Sequence, residues 1–590
     1  MHRRRYTIPA VQIIETPKTY DICIIGSGAG GGMAAKVLAE AGADVVMLEA
    51  GPSWDPVADS YMFNWPYDSP RRGAATPKQE FGEFDACFGG FSLEGEPYTR
   101  APGTRFDWFR ARMLGGRTNH WGRISLRYGP DDFRRKSLDG LGDDWPITYE
   151  DIKPYYDKVD AFVGIFGTNI ADEYNLPNEP DGIFMPPPAP RCYERLVKKA
   201  ADRLNIACVP SRMSIITRPH NGRIPCHYCG QCNRGCATHS NFSSPSVLLP
   251  PAVATKRLTL QTDAMAREIT VDDAGLATGV IYIDKTTGRE HRVRARVVVL
   301  AASACESARI LLNSRSNRFP QGLGNSTGNV GRYLTDSTGV GLTGFIPAMM
   351  DMPPHNEDGV GGMHLYMPWW LDNRKLDFPR GYHIEVGGGR KIPSFGFLGN
   401  IHQYAGMPPF AGGTAPLPGV GYGRKLKEDY RRFYGATVGF AGRGEMIPNA
   451  DSYCELDPTV VDKYGIPVLR FHFKWTDHEY KQAKHMQETF RAIIAEMGGT
   501  PMSEMPGPEQ GYGLLDGGRI IHELGVTRMG HDPDRSVVNA HCQLHDAKNV
   551  FVADAGPFVS QPDKNPTWTI LALAWRTSDY IIEQRAQGAI

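Results

Sequence analysis

The chain has 590 residues, of which 41% are hydrophobic and 22% are charged, so it can bury a large core and is not intrinsically disordered. Lys and Arg together number 65, as do Asp and Glu, and this balance argues against a nucleic-acid-binding protein held by bulk positive charge. No run of 18 apolar residues occurs, which argues against a transmembrane segment.

The first residues are basic, with arginines at positions 3–5. A twin-arginine signal would need an apolar stretch next, but Pro9, Gln12, Glu15 and Pro17 follow instead. We therefore expect no signal peptide in this sequence. The expected location is the cytoplasm, or the periplasm if the protein is exported together with a signal-bearing partner.

A complete βαβ unit lies near the start of the chain. The apolar strand Tyr20–Ile25 runs directly into a glycine-rich turn with Gly26, Gly28 and Gly31, and a helix and a second strand follow, ending at Glu49. Gly26 permits the tight turn, Gly28 lets the backbone approach a pyrophosphate, and Gly31 lets the helix pack close to the sheet. The helix N-terminus would hold the phosphates, and Glu49 would accept a hydrogen bond from a ribose hydroxyl. The unit predicts a dinucleotide site.

Further elements follow in order along the chain. The hydrophobic pattern predicts strand pairs and a helix over 258–313, including the apolar strand Val297–Ala302, and an antiparallel sheet over 340–445. An amphipathic helix is predicted over Asp477–Met497, with Thr476 and Glu479 as a capping box and Gly498 after its end. A late strand over 545–554 and a helix near 567–584 complete the pattern.

The late strand favours FAD over NAD as the dinucleotide. It runs through Val550 to Asp554, Ala555 and Gly556. In FAD proteins such a late strand, ending in an acid and a glycine, meets the ribitol and the pyrophosphate.

Four blocks, in the right order, carry a resemblance to a known family. In addition to the first glycine turn, the blocks are Met113–Gly122, which contains Gly115, Gly116, Asn119 and His120; Glu445–Asp457; His522–Gly530; and Asn565-Pro566-Thr567, which follows Asp554. The chain resembles the glucose–methanol–choline (GMC) oxidoreductases. Asn565 is similar to the residue that pyranose oxidases and bacterial sugar dehydrogenases carry at the second C-terminal catalytic position. Choline and glucose oxidases more often carry His there.

The resemblance implies an α/β fold, with a Rossmann-like FAD domain and an α+β substrate domain built on an antiparallel sheet. We expect the discontinuous FAD domain in 19–135, 250–335 and 515–585, the substrate domain in 136–220 and 336–514, and a Cys-rich loop in 221–245. The implied cofactor-binding residues are Gly26, Gly28, Gly31, Glu49, Gly115, Gly116, Asn119, His120, Asp554, Ala555, Asn565, Pro566 and Thr567.

Oxidation of an alcohol by a flavin needs a base for the hydroxyl proton, and His titrates in the right range. The resemblance implies that His522 is this base and that Asn565 holds and orients the substrate hydroxyl. His120 aligns with a position that bonds covalently to the flavin in pyranose oxidases, but its neighbours differ, so covalent and non-covalent FAD both stay open.

Four cysteines, Cys226, Cys229, Cys232 and Cys236, have the spacing C-x2-C-x2-C-x3-C of bacterial ferredoxins, without the final proline. This run favours an iron–sulfur cluster, either three-iron or four-iron. The fourth thiolate of a four-iron cluster would come from Cys236, or from a remote residue such as Cys192 or Cys208. Structural zinc is the competing interpretation, although zinc more often uses two separated pairs.

A cluster beside a flavin implies that electrons leave singly to an external acceptor. The resemblance then extends to flavoprotein subunits of bacterial sugar dehydrogenases, and implies oxidation of a secondary hydroxyl of a glucoside, at C3. It further implies a small accessory subunit and a cytochrome c-type acceptor. The alternative is a GMC oxidase or dehydrogenase without a redox cluster; a non-enzymatic flavoprotein and an NAD-dependent dehydrogenase are weaker alternatives.

The middle of the chain is rich in aromatic residues that suit a sugar ring. Trp369, Trp370, Tyr366, Tyr382 and His383 lie there among glycines. They fit either the wall of a sugar pocket or the core of a sheet.

Overall fold

The computed structural model describes residues 13–60, 64–68, 76, 85–351, 362–368, 376–389 and 423–590. Its strands are β1 (Ile14–Ile25), β2 (Val45–Leu48), β3 (Gly89–Gly90), β4 (Thr99–Arg100), β5 (Arg110–Ala111), β6 (Ile165–Phe166), β7 (Phe184–Met185), β8 (Val209–Pro210), β9 (Leu258–Gln261), β10 (Ala264–Val271), β11 (Ala277–Asp284), β12 (Arg289–Leu300), β13 (Thr338–Phe345), β14 (Leu365–Pro368), β15 (Tyr382–Gly388), β16 (Thr437–Gly444), β17 (Tyr453–Val461), β18 (Pro467–His472), β19 (Thr500–Pro501) and β20 (Val550–Val552). Its α-helices are α1 (Ala29–Glu40), α2 (Arg135–Asp139), α3 (Tyr149–Val163), α4 (Ala171–Tyr174), α5 (Cys192–Arg203), α6 (Leu249–Ala254), α7 (Ala304–Asn313), α8 (Gly423–Phe433), α9 (Asp477–Glu496) and α10 (Thr567–Ala586).

The larger sheet has seven strands, in the order β10-β11-β12-β1-β2-β9, with β20 also paired to β12. β1 lies parallel to both β2 and β12, and β20 is parallel to β12. Residues 22–25 of β1 are almost completely buried, since helices such as α1 and α10 cover the sheet. This burial on both faces explains why the central strands are continuous apolar runs.

Several element bounds differ from the sequence-based expectation. The first strand begins earlier, at Ile14, while β12 ends at Leu300 and β20 covers only Val550–Val552. β12 stops because the chain turns away after Ala301, whose amide still bonds to Ile25, and Ser303 adopts a positive φ of 80°. The predicted α/β fold is confirmed.

The second sheet has six strands in the order β19-β13-β16-β15-β14-β8, and its pairs are antiparallel. α9 lies across it. A Cβ added at Gly442 would meet Met486 Sδ at 2.5 Å, and one at Gly344 would meet Ile494 Cγ1 at 2.7 Å. Glycines in the strands thus make room for the helix, which starts with the predicted capping box: the Glu479 carboxylate accepts from the Thr476 amide at 2.7 Å.

No helix in the part of the chain that the structure describes combines the length and apolar character needed to cross a membrane.

Candidate active site

A cavity of about 540 Å³ opens where β1, β2 and β20 end and α1 begins. It brings together residues from both ends of the chain. The predicted site residues on its wall are Gly26, Gly28, Glu49, Gly116, His120, His522, Asp554, Ala555, Asn565, Pro566 and Thr567. Gly31, Gly115 and Asn119 do not line it and lie behind the wall.

The three glycines of the first turn have different surroundings. Gly26 has a φ of +98°, and a Cβ there would lie 2.3 Å from the Ala301 carbonyl oxygen. A Cβ at Gly31 would lie 1.9 Å from the Gly26 carbonyl oxygen, which is the close packing expected at that position. Within the described part of the chain, a Cβ at Gly28 would meet no atom within 4 Å beyond its two chain neighbours, so this residue leaves the cavity side of the helix N-terminus open.

Glu49 is buried and already holds the turn. Its Oε2 accepts from the Ser27 amide at 3.2 Å and from the Ser27 hydroxyl at 2.5 Å, and its Oε1 accepts from the Gly51 amide at 2.8 Å. Burial raises the Glu49 pKa, while the Ser27 hydrogen bond opposes this. The Ser27 hydroxyl also accepts from the Gly115 amide at 2.8 Å. Ser27, a residue that the sequence analysis did not single out, thereby joins the two glycine blocks.

The second glycine block is held by its own amide side chain. Asn119 Nδ2 donates to the Leu114 carbonyl at 2.9 Å and to the Gly116 carbonyl at 3.3 Å. The next residue, His120, lines the cavity. Burial, followed by Arg123 and Arg117, lowers the His120 pKa to about 3, so the ring is neutral at pH 7. Asn119 thus supports the loop that presents His120.

His522 is held at two points. Its backbone amide donates to Asp336 Oδ1 at 3.0 Å, and its Nδ1 lies 2.9 Å from the Ser337 hydroxyl. Burial, followed by the charge of Arg443, lowers its pKa to about 3, whereas Glu385 acts in the opposite direction. The ring is therefore neutral at pH 7 and has an unprotonated nitrogen, but its pKa lies below the near-neutral range that the sequence analysis expected of the base.

Asn565 is oriented by a carboxylate. Its Nδ2 donates to Glu385 Oε1 at 3.1 Å, while its buried Oδ1 has no hydrogen-bond partner among the residues that the structure describes. Burial would raise the Glu385 pKa, but the hydrogen bond from His383 and the charge of Arg443 outweigh it and lower the pKa to about 2. An ionised Glu385 only accepts hydrogen bonds, and so fixes which way the Asn565 amide faces.

The loop that carries Asn565 is fastened by buried charges. Lys564 is completely buried, and its Nζ lies 3.0 Å from both Asp132 Oδ2 and Asp563 Oδ1. Carboxylate oxygens of Asp132, Glu445 and Asp563 lie within 4.8 Å of one another, but the ammonium of Lys564 already contacts two of them. We therefore interpret this cluster as an ionic anchor and not as a metal site.

The four cysteines of the predicted cluster share one neighbourhood. Burial raises the pKa of Cys226 to about 12 and that of Cys229 to about 11, and the thiols of Cys232 and Cys236 add to both shifts. In the described part of the chain, no three of their sulfur atoms lie within 4.8 Å of one another. A tetrahedral zinc ion would hold thiolates about 3.8 Å apart. The described residues therefore form no preformed zinc site.

Two contacts connect the cysteine segment to the cavity. Asn233 and Asp85 both line the cavity, 3.4 Å apart between Nδ2 and Oδ2. Arg123 donates to the Cys232 carbonyl at 2.6 Å and to the Asn119 carbonyl at 2.8 Å. The cysteine segment is thus joined to the loop that carries His120.

The aromatic residues of the middle region are core residues where they are described. Tyr366 and Tyr382 are 1% and 0% exposed, and neither lines the cavity. The Tyr366 hydroxyl donates to Glu179, and that of Tyr382 lies 2.9 Å from His485 Nδ1. Of the two interpretations of these tyrosines, core packing is correct. Trp369 and Trp370 lie outside the described residues.

Comparisons with known proteins define the class. Residues 30–338 and 448–574 match the two family profiles described as GMC oxidoreductase. The chain belongs to the GMC oxidoreductase family, whose members bind FAD and oxidise CH–OH groups as dehydrogenases or oxidases. The predicted resemblance is confirmed, and the chain is an oxidoreductase of this kind.

Individual relatives match over nearly the whole chain. The 2-methyl-1,2-propanediol dehydrogenase of Mycolicibacterium austroafricanum is 30% identical over 95% of both chains. The fructose dehydrogenase large subunit of Gluconobacter japonicus is 26% identical over 96% of this chain and 98% of its own. Pyridoxine 4-oxidase from Mesorbium loti has the same fold, with a TM-score of 0.60, 17% identity, and coverage of 95% of this chain and 99% of its own.

Proposed function

We propose that this protein is an FAD-dependent sugar dehydrogenase that oxidises a secondary hydroxyl of a glucoside or related sugar, at C3. The observation that carries the proposal is the pairing of a neutral His522 with Asn565 on the same cavity as the open turn at Gly28. An electron carrier without alcohol chemistry does not need a base at this position. Sugar-oxidising relatives, including a C-glycoside 3-oxidase of Arthrobacter globiformis that matches 55% of this chain at 26% identity, support the substrate class.

The residues divide the reaction between them. Bound FAD supplies a hydride acceptor at flavin N5. Because the Nδ1 of His522 faces Ser337, its Nε2 is the nitrogen that takes the hydroxyl proton as the carbon loses hydride and becomes a carbonyl. Asn565, held by Glu385, binds the substrate hydroxyl and adds no charge.

We propose that the four cysteines, Cys226, Cys229, Cys232 and Cys236, hold an iron–sulfur cluster, three-iron or four-iron. Such a cluster supplies one-electron transfer to an external acceptor. Their shared neighbourhood supports this, as does the guanidinium of Arg123, which interacts with the thiols of Cys232 and Cys236 and would offset negative charge. The border with the cavity at Asn233 supports electron exchange with the flavin.

We further propose a small accessory subunit, a cytochrome c-type acceptor and export together with the partner. The support is the likeness to a fructose dehydrogenase large subunit and to the gluconate 2-dehydrogenase flavoprotein of Pantoea cypripedii, which is 26% identical over 97% of this chain.

The test is a paired optical and EPR spectrum of anaerobically purified protein, before and after addition of a methyl glucoside. Bleaching of the flavin bands together with a change in an iron–sulfur signal is the expected result, and product analysis then identifies the oxidised carbon. Bleaching without iron in the protein would leave the alternative, a GMC oxidase or dehydrogenase without a cluster, to be tested with O₂ as acceptor. No bleaching with methyl glucoside, fructose or gluconate, but bleaching with 2-methyl-1,2-propanediol, would replace the sugar by a diol.

A further inference from the structure

Two residues just before β13, Asp336 and Ser337, form a cradle for His522. Both are completely buried. Asp336 Oδ1 accepts from the amides of Ser337 at 2.9 Å and His522 at 3.0 Å, and its Oδ2 accepts from the Gly518 amide at 2.7 Å. The Asp336 carboxylate thus holds the backbone on both sides of the His522 loop, while the Ser337 hydroxyl contacts the imidazole ring.

We propose that Ser337 is the positioning residue for His522: its hydroxyl oxygen accepts a hydrogen bond from Nδ1–H, so that Nε2 presents its lone pair to the substrate. This inference rests on the proposed function, in which His522 is the base. The geometry behind it is the 2.9 Å contact between the Ser337 hydroxyl and Nδ1, combined with the hydrogen bond from the His522 amide to Asp336.

A hydroxyl suits both states of the ring. In the neutral ring, Nδ1–H donates to the Ser337 oxygen and leaves Nε2 unprotonated. After Nε2 has taken the substrate proton, the same Nδ1–H donates as part of an imidazolium, and this bond becomes stronger because the donor is charged. Neither Nδ1 nor the Ser337 oxygen has to move between the two states, so the hydrogen bond both orients the ring and favours proton transfer to Nε2.

Charged groups around His522 explain why its partner is not a carboxylate. Arg443, His383 and Arg117 all lower the pKa of His522, and Glu385 is the group that raises it. The carboxylates on the neighbouring backbone, Asp336 and Glu523, are themselves engaged, by backbone amides and by Arg117. A neutral partner at Nδ1 therefore orients the imidazole ring of His522 without keeping it protonated.

The experiment measures flavin reduction by substrate in the holoenzyme, with rapid mixing under anaerobic conditions. Ser337→Ala should slow the limiting reduction rate about tenfold, because a hydrogen bond to a charged group is lost, with little change in substrate KM. It should also move the acid limb of the pH profile to lower pH, because the imidazolium loses its acceptor. Ser337→Thr keeps a hydroxyl and should restore the rate. Thr338→Val, the matched control, removes a buried hydroxyl that contacts Gln482 and not His522, and should leave rate and pH limb unchanged.

The outcomes separate this inference from the proposed function. Ser337→Ala with full FAD content, wild-type rate and an unmoved pH limb would overturn the positioning role. So would a rate that Ser337→Thr fails to restore although FAD is retained. If Ser337→Ala does not fold, Ser337→Thr provides the test, because the positioning role requires that this variant show the acid limb of the wild-type pH profile. Normal flavin reduction in His522→Ala would instead overturn the base assignment, on which the inference depends.

Discussion

His522 and Asn565 reach the cavity from the last 70 residues of the chain, and each is held by a partner from its middle. Ser337 lies 185 residues from His522, and Glu385 lies 180 residues from Asn565. Ser337 and Glu385 are both buried, so their hydrogen bonds to His522 and Asn565 lie in a region of low dielectric, where they orient the two side chains strongly. The two candidate catalytic side chains thus come from the C-terminal segment, and residues from the middle of the chain orient them.

The role of His522 leads to the most direct prediction. His522→Ala should lower turnover at least ~10²-fold, since general-base catalysis contributes that much or more. FAD should remain bound, because the glycine turn and the other cavity walls are intact. Steady-state rates with a dye acceptor and flavin absorbance per chain check this. Turnover near the wild-type value would refute the assignment.

The lowered pKa of His522 also predicts a pH effect on stability. Its pKa is about 3 in the folded chain against an ordinary 6.5, so below pH 6.5 the unfolded chain takes up a proton that the folded chain refuses. The contribution of His522 to the free energy of unfolding is therefore lost as the pH falls from 6.5 towards 3. His522→Asn should lose less stability than the wild type between pH 7 and pH 5. Thermal unfolding at both pH values measures the difference, and equal losses would contradict the burial argument.

At the scale of elements, the glycines of the βαβ turn are of two kinds. Some are required because other backbone packs closely against them, and one lies where a ligand would come close. A Cβ at Gly30 would lie 1.6 Å from the Ala553 carbonyl oxygen, where α1 passes the segment after β20. A Cβ at Gly28 meets no atom of the described residues within 4 Å, its two chain neighbours aside. The contrast provides a matched pair of substitutions.

We expect Gly28→Ala to fold normally and to bind FAD weakly, because the added methyl group stands in the path of the pyrophosphate. Gly30→Ala should lower the yield of folded protein, because the backbone at Ala553 must shift. Circular dichroism and flavin content of the two variants are the measurements. Full FAD occupancy in Gly28→Ala would show that the phosphates bind elsewhere.

The capping box of α9 predicts a smaller, purely structural effect. Thr476→Ala removes a side-chain hydrogen bond to Glu479 and should cost about 1 kcal/mol. Glu479→Ala should cost more, because its Oε1 also accepts from the Ile447 amide at 3.1 Å. Thermal unfolding ranks the two variants. The reverse order would mean that the contact with Ile447 adds nothing.

Local patterns made much of the fold predictable. The glycine spacing, the capping box and the late strand each occupy a few consecutive residues, so each can be recognised in a short stretch of sequence. Ser337, Asp336 and Glu385 carry no such pattern, because their roles depend on pairings across well over a hundred residues. The aromatic run could not separate pocket from core, since both environments select the same side chains.

At the scale of the whole molecule, the cysteine segment and the dinucleotide cavity share a border. With the proposed iron–sulfur cluster in that segment, we predict that the FAD site and the cluster site can be separated by mutation. Cys226→Ser should abolish the iron content and slow transfer to an external acceptor, while FAD stays bound and is still reduced by substrate. Cys192→Ser, an exposed cysteine on α5, serves as the control and should keep its iron. Iron loss in that control would instead identify Cys192 as a remote ligand.

The order in which the chain is synthesised has a consequence for how the enzyme matures. The cavity is completed by Asp554, Ala555 and residues 565–567, and β20 pairs with β12 some 250 residues earlier in the sequence. Until residues 554–567 have left the ribosome, one wall of the dinucleotide cavity does not exist. We therefore expect a chain truncated before β20 to accumulate without flavin, however well its N-terminal glycine turn has folded.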